Sequence, residues 1–68
     1  MQTLTFSVPG MTCGHCVAAV DEELAKVPGV VSRSIDLDSK AVVVTGEAIE
    51  RSAIDAAVDE AGYETVWP

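Results

Sequence analysis

The only two cysteines and the only histidine of the chain fall within four consecutive positions, Cys13, His15 and Cys16, in the string "PGMTCGHC". Residues of these types at this spacing can form a redox thiol pair, half of a zinc site, or a two-thiolate clamp for a monovalent metal. Structural zinc takes four ligands, and the chain offers only His15 beside the pair, with no second Cys-X-X-Cys. Thiolates are soft donors that select Cu(I), which tolerates low coordination numbers. On ligand count, Cu(I) is the better match.

A pair of thiols chelates only if the backbone holds it, so the flanking elements matter. "LTFSV" alternates, with Leu4, Phe6 and Val8 on one face and Thr5 and Ser7 on the other, which predicts a half-buried strand. Pro9 and Gly10 stop it. From Gly14 to Val27 the apolar residues Val17, Val20, Leu24 and Val27 recur three or four apart, with Asp21, Glu22 and Glu23 largely opposite. That is an amphipathic helix. Cys13 then lies in the loop after the strand and Cys16 in the first helical turn, so both sulfurs can converge on one ion. The free N–H groups and positive end of the helix favour anions, which predicts lowered pKa values for both thiols. A Cu(I) bis-thiolate carries a net charge of −1 and suits the same position. Cys13, on the loop, is expected to be the more exposed sulfur and the first to be alkylated or displaced.

Beyond the first helix, Pro28 and Gly29 of "VPGV" enforce a turn. Val30 to Leu37 reads as a second strand, "DSK" as a short turn, and "AVVVT" from Ala41 as a third strand in a hairpin with the second. Gly46 breaks that strand. Ile49 to Ala61 carries Ile49, Ala53, Ile54, Ala57, Val58 and Ala61 at helical spacing, and Gly62 is a natural stop. "YETVW" reads as a last strand. The order βαββαβ predicts an α+β, ferredoxin-like split βαβ fold: a four-stranded antiparallel sheet with two helices on one face. Residues 1–68 make one domain. The two halves echo each other, but only the first carries cysteines.

Composition narrows the function. Apolar residues are 49% of the 68 and aromatics 4%, so the core is aliphatic and leaves little room for a water-excluding substrate pocket. Catalysis is therefore not expected. Eleven acidic residues against four basic ones give a formal net charge of −7, and Lys26, Arg33, Lys40 and Arg51 are scattered singly. Nucleic acid is a poor partner for such a surface. No stretch is long and apolar enough for a signal peptide or a membrane span, which predicts a cytoplasmic protein with no direct membrane insertion. In a reducing cytosol a Cys-X-X-Cys pair is more often metal-binding or catalytic than a disulfide.

The string "GMTCGHC", together with "VPGV", "AVVVTG" and "AGY", resembles the heavy-metal-associated domain family and its pattern Gly-Met-x-Cys-x-x-Cys. The resemblance runs over the whole chain and is strongest to the stand-alone bacterial copper chaperones. It implies that Cys13 and Cys16 bind Cu(I) and hand it, by ligand exchange, to the metal-binding domain of a copper-transporting P-type ATPase. A copper-responsive regulator is a further partner on this reading. The resemblance also implies that Met11 packs inward under the loop and is not a ligand, and that Tyr63 lies near the metal loop. Thr12 stands where zinc-exporting relatives carry an Asp, which weakens a zinc reading. His15 is expected to point to solvent at one metal per chain, and to serve as a ligand where two molecules share copper in a bridged homodimer. The rival readings are an excised domain of a copper ATPase, a mercury-binding relative, and a thiol–disulfide oxidoreductase. The last lacks a Trp-Cys-Gly-Pro-Cys motif in a thioredoxin-like frame.

Overall fold

A computed structural model describes residues 1–68. Strand β1 spans Gln2–Ser7, helix α1 Gly14–Ala25, β2 Val30–Asp36, β3 Ala41–Gly46 and helix α2 Arg51–Glu60. The sheet order is β1-β3-β2, all antiparallel. The alternation read in "LTFSV" is set by this register. Phe6 pairs with Val42 and Leu4 with Val44 on one side of β3, while Ile35 pairs with Val42 on the other. These side chains face the helices, which contribute the buried Val20 and Leu24 of α1 and Ile54 and Val58 of α2. The core is aliphatic apart from Phe6, as the composition requires.

The expected fourth strand is reduced to one antiparallel bridge, in which Ser7 and Val66 exchange two backbone hydrogen bonds of 2.9 and 2.7 Å. The flanking residues are drawn elsewhere. The Thr65 hydroxyl and the Trp67 indole N–H both donate to Asp55 Oδ1 of α2, and Trp67 packs on Phe6 with ring centroids 4.8 Å apart. The chain therefore leans on α2 where a full fourth strand was expected.

Helix boundaries are tighter than the apolar spacing suggested. α1 ends at Ala25, and Val27 is buried from the following turn, its N–H bonded to the Leu24 carbonyl at 3.1 Å. Ile49 likewise reaches the core from the loop before α2. Gly29 and Gly46 are required where the loop after α1 crosses the end of β3. Gly29 has φ +91°, and a Cβ on Gly46 would lie 1.9 Å from the Gly29 carbonyl oxygen. That carbonyl instead accepts the Glu47 N–H at 2.9 Å.

Candidate metal site

The loop that carries the thiols is anchored at its base. Val8 is buried, and its N–H bonds to the Lys40 carbonyl in the β2–β3 turn at 2.9 Å. Met11 N–H turns back to the Val8 carbonyl at 3.2 Å, and the Met11 side chain is wholly buried in the core beneath the loop. Thr12 to His15 are then lifted into solvent. Cys13 is the N-cap of α1, extended at φ −157° and ψ 173°, and its carbonyl accepts the N–H groups of Cys16 and Val17 at 3.1 and 3.2 Å. Cys13 thus stands outside the helix while Cys16 is fixed within its first turn.

This geometry brings the two thiols together. Both are free, with their sulfurs 3.5 Å apart; Cys13 is exposed and Cys16 half-buried. The Cys16 thiol is lowered from 9.0 to about 6. The largest cause is the Thr12 backbone N–H, followed by the Tyr63 hydroxyl, the Cys13 thiol and the Thr12 hydroxyl 3.8 Å away, while burial opposes the shift. At neutral pH Cys16 is therefore largely thiolate. The sequence predicts lowered pKa values for both thiols and gives the exposed role to Cys13. In the structure Cys13 is the exposed thiol, and the pKa of Cys16 is lowered chiefly because the loop folds Thr12 back over that sulfur.

Tyr63 is delivered to the site by the end of α2. Gly62, at φ +92°, lets the chain reverse, with Gly62 N–H bonded to Asp59 and Tyr63 N–H to Val58 at 2.9 and 3.0 Å. This is the paired capping pattern in which a left-handed glycine satisfies the last carbonyls. The Tyr63 ring then lies on Gly10, where a Cβ would come within 3.0 Å of its Cδ1. Its hydroxyl is held above its ordinary pKa, chiefly by interaction with Cys16 and then by burial, and it supports the thiolate without closing a hydrogen bond of ordinary geometry.

His15 is exposed, and no group of three or more His, Cys, Asp or Glu side chains is arranged to hold a metal. Of the five residues singled out in the sequence, the structure gathers Cys13, Cys16 and Tyr63, places Met11 below them, and leaves His15 outside. Two contributors escaped sequence reading. Thr12 was noted for the Asp it replaces, not for its contact with Cys16. Lys40 was one of four scattered bases, yet its ammonium donates to the Met11 carbonyl. Nothing in the string "DSK" announces that reach.

Residues 5–64 match the heavy-metal-associated domain. The chain belongs to that family. It is 41% identical over 61 residues to the copper chaperone CopZ of Enterococcus hirae, covering 87% of this chain and 88% of that one. It is 39% identical over 64 residues to the mercuric transport protein periplasmic component of Salmonella typhi, covering 91% and 70%. A third relative is copper-transporting ATPase 1 of Rhizobium meliloti, 42% identical over 60 residues; the match covers 87% of this chain but 7% of the ATPase. Among solved structures, the N-terminal domain of PacS from Synechocystis superposes with a TM-score of 0.90 at 29% identity, covering 100% and 98%. Oxidized MerP from Ralstonia metallidurans superposes at 0.89 with 34% identity, covering 97% and 94%. The heavy-metal-associated domain is a metal-binding carrier module, and two helices on an antiparallel sheet are its fold.

Proposed function

We propose that this domain is a copper carrier, in which Cys13 and Cys16 hold one Cu(I) and pass it to the metal-binding domain of a copper-transporting P-type ATPase. The observation that supports this reading most directly is a pair of free thiols 3.5 Å apart with no third donor gathered around them. Two soft ligands at an exposed edge suit a metal that accepts low coordination and must leave again. Similarity to both a copper chaperone and a copper ATPase domain is consistent with donor and acceptor sharing one site design.

Transfer then proceeds by associative exchange. A partner thiolate attacks the bound Cu(I), a three-sulfur intermediate forms, and Cys13 departs first because it is the exposed thiol outside the helix. Cys16, held in the helical turn and stabilised as a thiolate, keeps the ion until a second partner sulfur arrives. No free copper is released. The work is binding and hand-over rather than catalysis, in the cytoplasm, where both thiols stay reduced; no helix is long and apolar enough to cross a membrane.

A mercury-carrying role is the second reading, favoured by similarity to the mercuric transport protein. Titration of the reduced protein with Cu(I) and with Hg(II), each against a competing thiol chelator, separates the two. Stoichiometric Cu(I) binding, lost in Cys13→Ser/Cys16→Ser, and transfer to an isolated copper ATPase domain are expected. Retention of tight Cu(I) binding in the double variant would refute the ligand assignment. Transfer of Hg(II) but not Cu(I) would favour the mercury role.

A further inference from the structure

Lys40 occupies the last position of the β2–β3 turn, and three features of it point in one direction. Its backbone is left-handed, φ 64°, a conformation that side-chain-bearing residues rarely adopt. Its carbonyl accepts the Val8 N–H, at the start of the segment leading into the thiol loop. Its ammonium, on a partly buried stem, donates to the Met11 carbonyl, two residues before Cys13. One residue therefore grips both ends of Val8–Met11 from a separate turn, twenty-nine positions away in sequence from Met11.

A glycine would satisfy the backbone of this turn more easily, since glycine enters the left-handed region without a Cβ penalty. The lysine that stands there brings a side chain that the turn itself does not require, and that side chain makes a contact outside the turn. It carries no ion pair: the salt bridges of the chain are those of the N-terminus, Lys26 and Arg33. Its one bond is to the loop carbonyl. A charge-assisted hydrogen bond of this kind is among the stronger neutral-partner contacts available.

We propose that Lys40 is a positioning residue of the metal loop: its ammonium, through the Met11 carbonyl, holds the approach to Cys13 in the conformation in which the two sulfurs converge. With the tether in place, the chelate is formed before the metal arrives, and less ordering is required on binding. Without it, Met11 remains pinned by its side chain, but Thr12 and Cys13 sample orientations in which Cys13 turns away from Cys16. The consequence for the carrier role rests on the copper reading above. The tether itself is a property of the metal-free protein.

The test uses two substitutions with opposite effects on the backbone. Lys40→Gly removes the ammonium and relieves the left-handed strain; Lys40→Met removes the ammonium and keeps the strain and most of the stem. If Lys40 positions the loop, amide hydrogen exchange at Thr12 and Cys13 in the metal-free protein rises about tenfold in both variants. Under the same hypothesis Cu(I) is lost to a competing chelator several-fold faster from both, while thermal stability is retained or raised in Lys40→Gly. If Lys40 is only a turn residue, Lys40→Gly matches the parent in exchange and in metal retention, and the proposal is overturned. Faster exchange in both variants with no Cu(I) binding by the parent would uphold the tether and defeat the copper reading instead. Unchanged exchange at Thr12 and Cys13 in both variants would defeat the tether whatever the metal does.

Discussion

The chain enters its two helices through loops that share a plan and differ in what they carry. Before α1, Met11 is turned fully into the core and its carbonyl is met by Lys40. Before α2, Ile49 is turned into the core, 5% exposed, and both its backbone groups are met by the Gln2 side chain. Gln2 Nε2 donates to the Ile49 carbonyl at 3.1 Å, and Gln2 Oε1 accepts the Ile49 N–H at 2.8 Å. Each helix then begins from an extended N-cap, Cys13 or Glu50, without a side-chain capping bond. The second loop passes from Ile49 directly to its N-cap, whereas the first inserts Thr12 and places thiols at the N-cap and at the third helical residue. An anchored apolar residue is thus the common frame, to which the first loop adds one residue and two thiols.

The largest effect is expected where the frame of the second half has no room. Gly46→Ala would drive a methyl into the Gly29 carbonyl, backbone against backbone, and neither side can yield without parting the loop from β3. A domain this small has roughly 3–5 kcal/mol of stability, and a clash of this kind costs about as much. Circular dichroism should show Gly46→Ala largely unfolded at 37 °C. Gly14→Ala, at the first residue of α1 with open space around it, should melt within a few degrees of the parent. A folded Gly46→Ala protein would mean that the crossing is looser than it stands here.

The anchors themselves give the next largest change. Met11→Ala and Ile49→Ala each remove a buried side chain and should cost about 2–5 kcal/mol in urea denaturation. Their effects on metal should part company. Met11→Ala undermines the floor of the thiol loop and weakens Cu(I) retention, whereas Ile49→Ala lies in the other loop and spares it at temperatures where both remain folded. Equal losses of retention would show that global stability, not the local anchor, governs the chelate.

Protonation sharpens the comparison because only the first loop titrates through a thiol. Cys16 is depressed in the folded chain to about 6 from 9.0. The unfolded state therefore holds more protons between those values, and stability rises with pH across that window. The contribution is fully present above pH 9 and is lost as pH falls through about 6. Denaturant melts of the metal-free protein from pH 5 to 9 should show this slope, and Cys16→Ser should reduce it. Alkylation of Cys16 should be half-maximal near pH 6, and Tyr63→Phe should move that midpoint upward by removing the second-largest cause. An unmoved midpoint would leave Thr12 as the principal support.

Much of this arrangement is legible in the sequence, and the exceptions have physical reasons. Period-two and helical patterns located all three strands and both helices, because burial on one face imposes those periods. They overran the helix ends, since Val27 and Ile49 are apolar for the same reason as helical core residues but are buried from turns. The last strand was misjudged because "YETVW" alternates properly, while Asp55, ten and twelve residues away, competes for Thr65 and Trp67. The thiol pair announced itself by type and spacing. Of the residues around it, Tyr63 was marked by the family pattern, whereas the contacts of Thr12 and Lys40 were not, because Thr12 acts through its backbone and Lys40 reaches the loop across the fold.

The smallest effect is expected at the residue that looked most like a third ligand. His15 lies beside Cys16 in sequence, but adjacent residues on a helix diverge by about 100°, whereas positions three apart share a face. Cys13 and Cys16 converge because the side chain of an N-cap residue folds back toward the third residue of its helix, while His15, second in α1 and exposed, projects from a different side. At one Cu(I) per chain, His15→Ala should change affinity by less than about threefold, because no bond to the metal is lost and an exposed substitution is worth only a few tenths of a kcal/mol. Chelator competition measures this directly. The residue gains a use only when copper exceeds one equivalent and a second molecule brings its own loop against the first, since an imidazole at the rim can then complete a shared site. Sedimentation velocity at two equivalents should accordingly show weaker association for His15→Ala than for the parent. A tenfold loss at one equivalent would make His15 a ligand of the monomer and end the two-thiolate assignment.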